Sequence, residues 1–207
     1  MAKTFLEGGA TIPKISNGIT VRHSVVKLLA PKLYDEWINR EDKKIRMMFR
    51  QFGQEPFVGV EVGVFAGDNA LSILKKFSKL QLYLVDPYTP YYSTFQRKII
   101  DPIPFQKIAK EQLTSYHNRV KWCFMSSFEA SKVIPGDLDF VYIDANHLYH
   151  FVKEDLELWY PKVKVGGLLG GHDFSASEQG VVKAVLEFAE VNHLQVVGGH
   201  DDWWIRK

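Results

Sequence analysis

Four acidic residues, Glu61, Asp86, Asp144 and Asp173, stand at or beside the carboxyl ends of apolar runs in this 207-residue chain. The runs read FVGVEV, LQLYLV, DFVYI and the glycine-laced VKVGGLLGG. Short, β-branched apolar runs suit strands buried on both faces of a parallel sheet, and ligands bind where the carboxyl ends of such strands meet. Carboxylates gathered on one rim repel each other unless hydroxyls, a ligand cation or a metal ion sits among them. Glu61 lies inside its run, where an unpaired charge costs several kcal/mol, so a ligand amine is the expected partner. Asp86 follows Glu61 by 25 positions. That is near the offset at which nucleotide-binding folds place a ribose-binding acid, whose oxygens can accept from both ribose hydroxyls.

Between these two acids lies a turn bracketed by Gly63 and Gly67, followed by Asn69–Phe77, in which Ala70, Leu71, Ile73, Leu74 and Phe77 recur at helical spacing. The amino terminus of such a helix favours a ligand carboxylate. Amine at Glu61, carboxylate at the helix start and ribose at Asp86 together describe an amino acid joined to a nucleoside, as in S-adenosylmethionine. A dinucleotide is disfavoured: G-x-G-x-x-G is absent, and only G-x-x-x-G is found.

The remaining elements follow from periodicity. Helical spacing over Ser24–Phe52, broken near Pro31, reads as a cover for the sheet, a lid or a dimer surface, after an irregular arm over residues 1–20. Strands are expected at Leu80–Tyr88, Arg119–Phe124, Asp139–Asp144 and Val163–Gly171, and a hairpin from Leu194–Val197 and Trp203–Arg206. Helices are expected at Phe105–His117, His150–Trp159 and Glu178–Val191, with a short turn at Phe128–Lys132. Ser127 could cap that turn or touch a base through its hydroxyl. Pro87–Pro104, with Tyr88, Tyr91, Tyr92 and Phe95, reads as an aromatic loop able to wall an acceptor pocket. The pattern is one α/β domain: seven strands, five alternating with helices and two closing as a hairpin.

Composition narrows the function. Lys and Arg number 26 against 24 Asp and Glu, a net charge of +2, so no broad polyanion-binding face is expected apart from the local basic stretch Lys43–Arg50. Cys123 is the single cysteine, which rules out an internal disulfide and reads as a strand residue. The amino-terminal residues lack the apolar core of a signal peptide and no run reaches the ~18 apolar residues of a span, so a cytoplasmic protein without a membrane partner is expected.

From about Phe57 to the carboxyl terminus the chain resembles a class I S-adenosylmethionine-dependent methyltransferase. The segment DFVYIDANHLYHFVKEDLELWYPKVKVGGLLGGHDF, Asp139–Phe174, is similar to the branch of macrocin O-methyltransferase-like enzymes and, more distantly, to catechol O-methyltransferase. The resemblance implies a Rossmann-like, seven-stranded, mostly parallel α/β sheet with an antiparallel last strand and helices on both faces. It implies a methyltransferase domain over residues 57–207, preceded by an amino-terminal arm and helical cover over 1–56. It carries methionine contacts onto Glu61, Gly63 and Gly67, the ribose onto Asp86 and the adenine onto Ser127 and Phe128, with Asp144 counted among the cofactor contacts. In metal-dependent relatives the acids after the fourth and fifth strands bind a divalent ion; here these are Asp144 and Asp173, with Mg²⁺ the expected ion. The next ligand position holds Phe174, a departure for which His172 either substitutes or only hydrogen-bonds beneath the sheet. His147 occupies the position of the proton-abstracting residue, and His150 lies a turn further on. The expected reaction is O-methylation of a small hydroxylated acceptor, with nucleic acid disfavoured as a partner and homo-oligomer formation open. The rival readings are a non-catalytic nucleoside-binding module, which Phe174 favours, and a nicotinamide-dependent oxidoreductase, which the missing dinucleotide turn disfavours.

Overall fold

The structure, a computed structural model, describes residues 48, 51–53, 55–93, 98–199 and 201–207. The arm and most of the helical cover expected over 1–56 lie outside the described residues; Met48, Gln51 and Phe52 are helical. Phe52 stacks on Phe57 with ring centroids 4.7 Å apart, at the start of the central strand.

That strand, β1 (Phe57–Val62), is followed by helix α1 (Asp68–Lys76) and β2 (Leu80–Val85). Then come a short ribbon, β3 (Tyr91–Ser93) and β4 (Lys98–Ile100), helix α2 (Ile103–Gln112) and β5 (Val120–Cys123). Helix α3 (Ser127–Val133), β6 (Leu138–Ile143), α4 (Tyr149–Trp159), β7 (Val163–Gly171) and α5 (Gln179–Val191) lead to the hairpin β8 (Val196–Gly199) and β9 (Asp202–Arg206). Seven strands form one sheet in the order β5-β2-β1-β6-β7-β9-β8. β1, β2, β5, β6 and β7 are parallel, and β9 is antiparallel to both β7 and β8. The Rossmann-like α/β expectation holds, including the reversed last strand.

Two apolar layers flank the sheet because successive residues of each strand point to opposite faces. On one face Phe57, Leu82, Leu84, Phe140 and Tyr142 pack with Ile73 and Leu74 of α1 and Ala109 of α2. On the other, Val60, Val62, Val141 and Ile143 meet Val152, Leu156 and Trp159 of α4 and Val185 of α5. Full burial of each large apolar side chain contributes about 1.5–3 kcal/mol, which fixes the register of the central strands and hence the positions of their ends.

The segment read as an aromatic loop, Pro87–Pro104, instead contains the β3–β4 ribbon, with Tyr91 opposite Ile100. Its strands are only three residues each, too short to show alternation in sequence. Cys123 is the last residue of β5, as expected.

Candidate active site

The glycine turn after β1 is built by close backbone approach. Gly63 has φ +89°, and a Cβ there would lie 2.1 Å from the Asp144 carbonyl oxygen, so only glycine lets the ends of β1 and β6 meet. Its N–H donates to the Val85 carbonyl at 2.8 Å, tying the turn to β2 as well. Gly67, φ +83°, stands at the start of α1, which carries no side-chain cap. Glu61 is only 1% exposed.

Asp86 faces the turn. Its Oδ2 accepts from the Val64 and Phe65 N–H groups, both at 3.0 Å, and its Oδ1 accepts from the Tyr88 N–H at 2.8 Å. A carboxylate has about four acceptor positions, so three are in use and one remains.

At the start of α3 the expected cap is displaced by one residue. Ser126, not Ser127, caps the helix: its Oγ accepts from the Glu129 N–H, and the Glu129 carboxylate accepts from the Ser126 N–H. The Ser127 hydroxyl instead donates to Asp155 Oδ1 and accepts from Trp159 Nε1 at 2.8 Å. Asp155 is buried, and burial, partly offset by the Ser127 bond, pushes its carboxyl up to about 7. Phe128 is half exposed, with the Lys132 ammonium 3.6 Å from its ring centroid.

Past β6 and β7 the acids meet imidazoles. His147 Nε2 lies 2.9 Å from Asp173 Oδ2 and 4.0 Å from Asp144 Oδ1, while its Nδ1 is 3.9 Å from a Glu178 carboxylate oxygen. His172 Nδ1 lies 3.2 Å from Asp173 Oδ1 and 4.0 Å from Asp144 Oδ1. Glu178 reaches the site because Gly180 lets the start of α5 press onto the loop before α4; a Cβ there would meet the His147 carbonyl oxygen at 2.5 Å. Burial alone would lower the basicity of His147, but the hydrogen bond and charge of Asp173, then the charges of Asp144 and Glu178, hold it above its ordinary value. Burial would likewise raise Asp173, yet bonds from both imidazoles hold its carboxyl below the usual range. His150 is exposed and packs against Phe151, outside the cluster.

Two buried tyrosines report how the acids converge. Burial raises the Tyr88 phenol first, and the charges of Asp86 and Glu61 raise it further. Tyr142 is raised by burial, then by Asp202, Asp144 and Glu61. Glu61 therefore shares one phenol with the ribose-acid candidate and another with the metal-acid candidate. A cavity of about 450 Å³ lies elsewhere, in an open groove between α4 and α5 that these acids do not line.

A family model described as a methyltransferase domain matches residues 60–174, more than half of the chain. The chain belongs to that family. It is a class I S-adenosylmethionine-dependent methyltransferase. A search of curated proteins by sequence found no match. Among solved structures the fold is similar to CalS11, a TDP-rhamnose 3′-O-methyltransferase of calicheamicin biosynthesis (14% identity, TM-score 0.59, covering 88% of this chain and 86% of that one). It is similar to an S-adenosylmethionine-dependent O-methyltransferase of Thermotoga maritima (14%, 0.56, 86% and 71%). A Podospora anserina methyltransferase bound to S-adenosylhomocysteine also shares it (15%, 0.57, 78% and 76%). Among the described residues no helix is long and apolar enough to cross a membrane.

The donor set of this methyltransferase fits a divalent ion: Asp144, His147 and Asp173 each offer one ligand atom, all within 4.8 Å of one another. Phe174 offers none; its N–H donates to the Asp201 carbonyl at 2.8 Å and its ring lies against Gly198. The site also contains Tyr88, expected only as one of several loop aromatics walling an acceptor pocket, and Glu178, to which the sequence does not point. Ser126 was legible as a cap, since Ser126-x-x-Glu129 is the capping-box pattern. Glu178 gave no such signal, because only the packing of α5 brings it to His147.

Proposed function

We propose that the enzyme transfers a methyl group from S-adenosylmethionine to the oxygen of a small hydroxylated acceptor, with a divalent ion held at Asp144 and Asp173. The observation that carries this reading is the His147–Asp173 contact of 2.9 Å, with Asp144 beside it, at the ends of strands neighbouring the glycine turn. A basic imidazole among ion-binding carboxylates suits deprotonation of a hydroxyl.

For the cofactor, Glu61, Gly63 and Gly67 would hold the methionine end and Asp86 the ribose, with Asp144 closing the crevice. Ser127 and Phe128 would meet the adenine. Because the Ser127 hydroxyl already serves Asp155 and Trp159, that contact would come from the backbone of the first turn of α3 and from the half-exposed Phe128 ring.

The cofactor supplies a methyl group on a sulfonium sulfur, open to in-line attack by the acceptor oxygen. His147 Nε2 faces Asp144 and Asp173, so the neutral ring, its proton on Nδ1 toward Glu178, would offer the Nε2 lone pair to an acceptor hydroxyl bound beside the two aspartates. Glu178, beside Nδ1, stabilises the imidazolium that results. Asp144 and Asp173 would hold the ion, whose chemistry is to acidify a bound hydroxyl. His147 cannot ligate the ion and act as base through the same atom, and the assignment to base leaves the two aspartates as the ligands. Two carboxylates with waters or acceptor oxygens suit Mg²⁺.

The balanced charge of the chain supports a small acceptor over a nucleic acid. A catalytic domain over 57–207 with a cover over 1–56, and a cytoplasmic location, complete the proposal. The test is transfer of labelled methyl from S-adenosylmethionine to a panel of hydroxylated small molecules, with and without chelator. Label on an acceptor oxygen, reduced by chelation and restored by Mg²⁺, is expected; label only on nitrogen or carbon acceptors would overturn the O-methyl reading.

A further inference from the structure

We propose that Tyr88 is a positioning residue of the cofactor site: its hydroxyl and its amide together lock the glycine turn to Asp86, leaving that carboxylate a single acceptor for one ribose hydroxyl. The inference rests on Asp86 being the ribose acid, and it concerns a residue outside the acid and glycine pattern.

Tyr88 follows β2 by three positions and is 2% exposed. It has φ +47°, a left-handed conformation that bulky side chains seldom adopt and that persists only where surrounding contacts impose it. Here the contacts close a ring. The Tyr88 N–H donates to Asp86 Oδ1 at 2.8 Å, and the Tyr88 hydroxyl donates to the Phe65 carbonyl at 2.8 Å. Phe65 in turn donates its N–H to Asp86 Oδ2, which also takes the Val64 N–H. Phe65 itself has φ +49°, so both ends of the ring are held in uncommon backbone conformations. The turn is pinned on its far side too, by Gln112 Nε2 donating to the Ala66 carbonyl at 2.8 Å. The turn that would receive the methionine end is thus fastened to the acid that would receive the ribose.

Acceptor counting gives the second half of the inference. Oδ2 receives two N–H donors and Oδ1 one, out of about four positions for the whole carboxylate. A ribose diol needs two acceptors to be gripped at both hydroxyls. With one left, on Oδ1, a single hydroxyl is read by Asp86 while the ring stays closed.

Calorimetry tests both halves, using the full chain, S-adenosylhomocysteine and its 2′-deoxy and 3′-deoxy analogues. Tyr88→Phe removes only the hydroxyl. The expected result is a roughly 5- to 20-fold weaker Kd for S-adenosylhomocysteine, with kcat at saturating cofactor within about twofold of wild type. Because loss of a buried hydroxyl bond can also loosen the fold, amide exchange gives a second readout: the Val64 and Phe65 amides should exchange faster in Tyr88→Phe while those of β1 do not. One deoxy analogue should lose roughly tenfold or more in affinity and the other less than about threefold. If the wild-type enzyme binds S-adenosylhomocysteine and Tyr88→Phe binds it equally well, or both analogues lose equally, the clamp is overturned while the cofactor reading stands. If the wild-type enzyme gives no binding, the cofactor reading falls and the clamp with it.

Discussion

The two halves of the crevice neutralise their acids in different ways. Around β1 and β2, Asp86 is satisfied by three backbone N–H groups and the turn is shaped by positive-φ residues. Around β6 and β7, Asp144 and Asp173 are met by the imidazoles of His147 and His172, with Glu178 close by. Backbone donors do not titrate and move only when the chain moves, so the first half is suited to holding an invariant ligand. Imidazoles gain and lose protons near neutral pH, so the second half is suited to moving one. On the proposed reading, the contrast separates a backbone-held cofactor cradle from a titratable reaction centre within one sheet edge.

The strongest way to break the contrast is Gly63→Ala. Its Cβ would sit 2.1 Å from the Asp144 carbonyl oxygen at a φ disfavoured for alanine, so both halves should be pushed apart. A stability loss of about 3–5 kcal/mol, or failure to fold, is expected from urea denaturation; tolerance of the substitution would contradict the close approach.

Asp155, between α3 and α4, sharpens it next. Its folded carboxyl lies near 7 against an unfolded value near 3.8, so the folded state binds the extra proton between those values. The contribution of this group should therefore be fully present at and below about pH 4 and be lost as pH rises toward 7, by on the order of 4 kcal/mol. Asp155→Asn should flatten that slope in denaturation series run from pH 4 to 8; an unchanged slope would assign the dependence elsewhere.

Asp86→Ala should strand the Val64, Phe65 and Tyr88 amides as well as remove the proposed ribose contact. Affinity for S-adenosylhomocysteine is expected to fall roughly 30- to 100-fold by calorimetry. Smaller still is the effect of Asp173→Asn, which takes away the main partner of the His147 proton. His147 should then titrate at lower pH in NMR on chelator-treated protein, and turnover should fall roughly tenfold.

Much of this arrangement was legible before any coordinates. The run FVGVEVGVFAG could hardly be other than strand, turn and helix, since its apolar residues must be buried and its glycines sit where the backbone turns sharply. The strand-end acids were readable for the same reason: polar residues closing apolar runs are forced to one edge of a parallel sheet. What escaped was what depends on packing between distant elements. Tyr88 looked like one aromatic among several in a loop, and only the fold places its hydroxyl against Phe65. Ser127 looked like a cap because two serines stand together, yet Glu129 selects Ser126 and Trp159 draws Ser127 inward. The β3–β4 ribbon was too short to leave a period.

The central claim is that proton removal belongs to the β6–β7 half alone. It is tested most directly by measuring, on one preparation of His147→Ala, both turnover with an accepted hydroxylated substrate and the Kd for S-adenosylhomocysteine. The account predicts turnover reduced by about 100-fold or more, with Kd within about twofold of wild type. Unaltered turnover, or a loss of cofactor affinity as large as the loss of turnover, would contradict it.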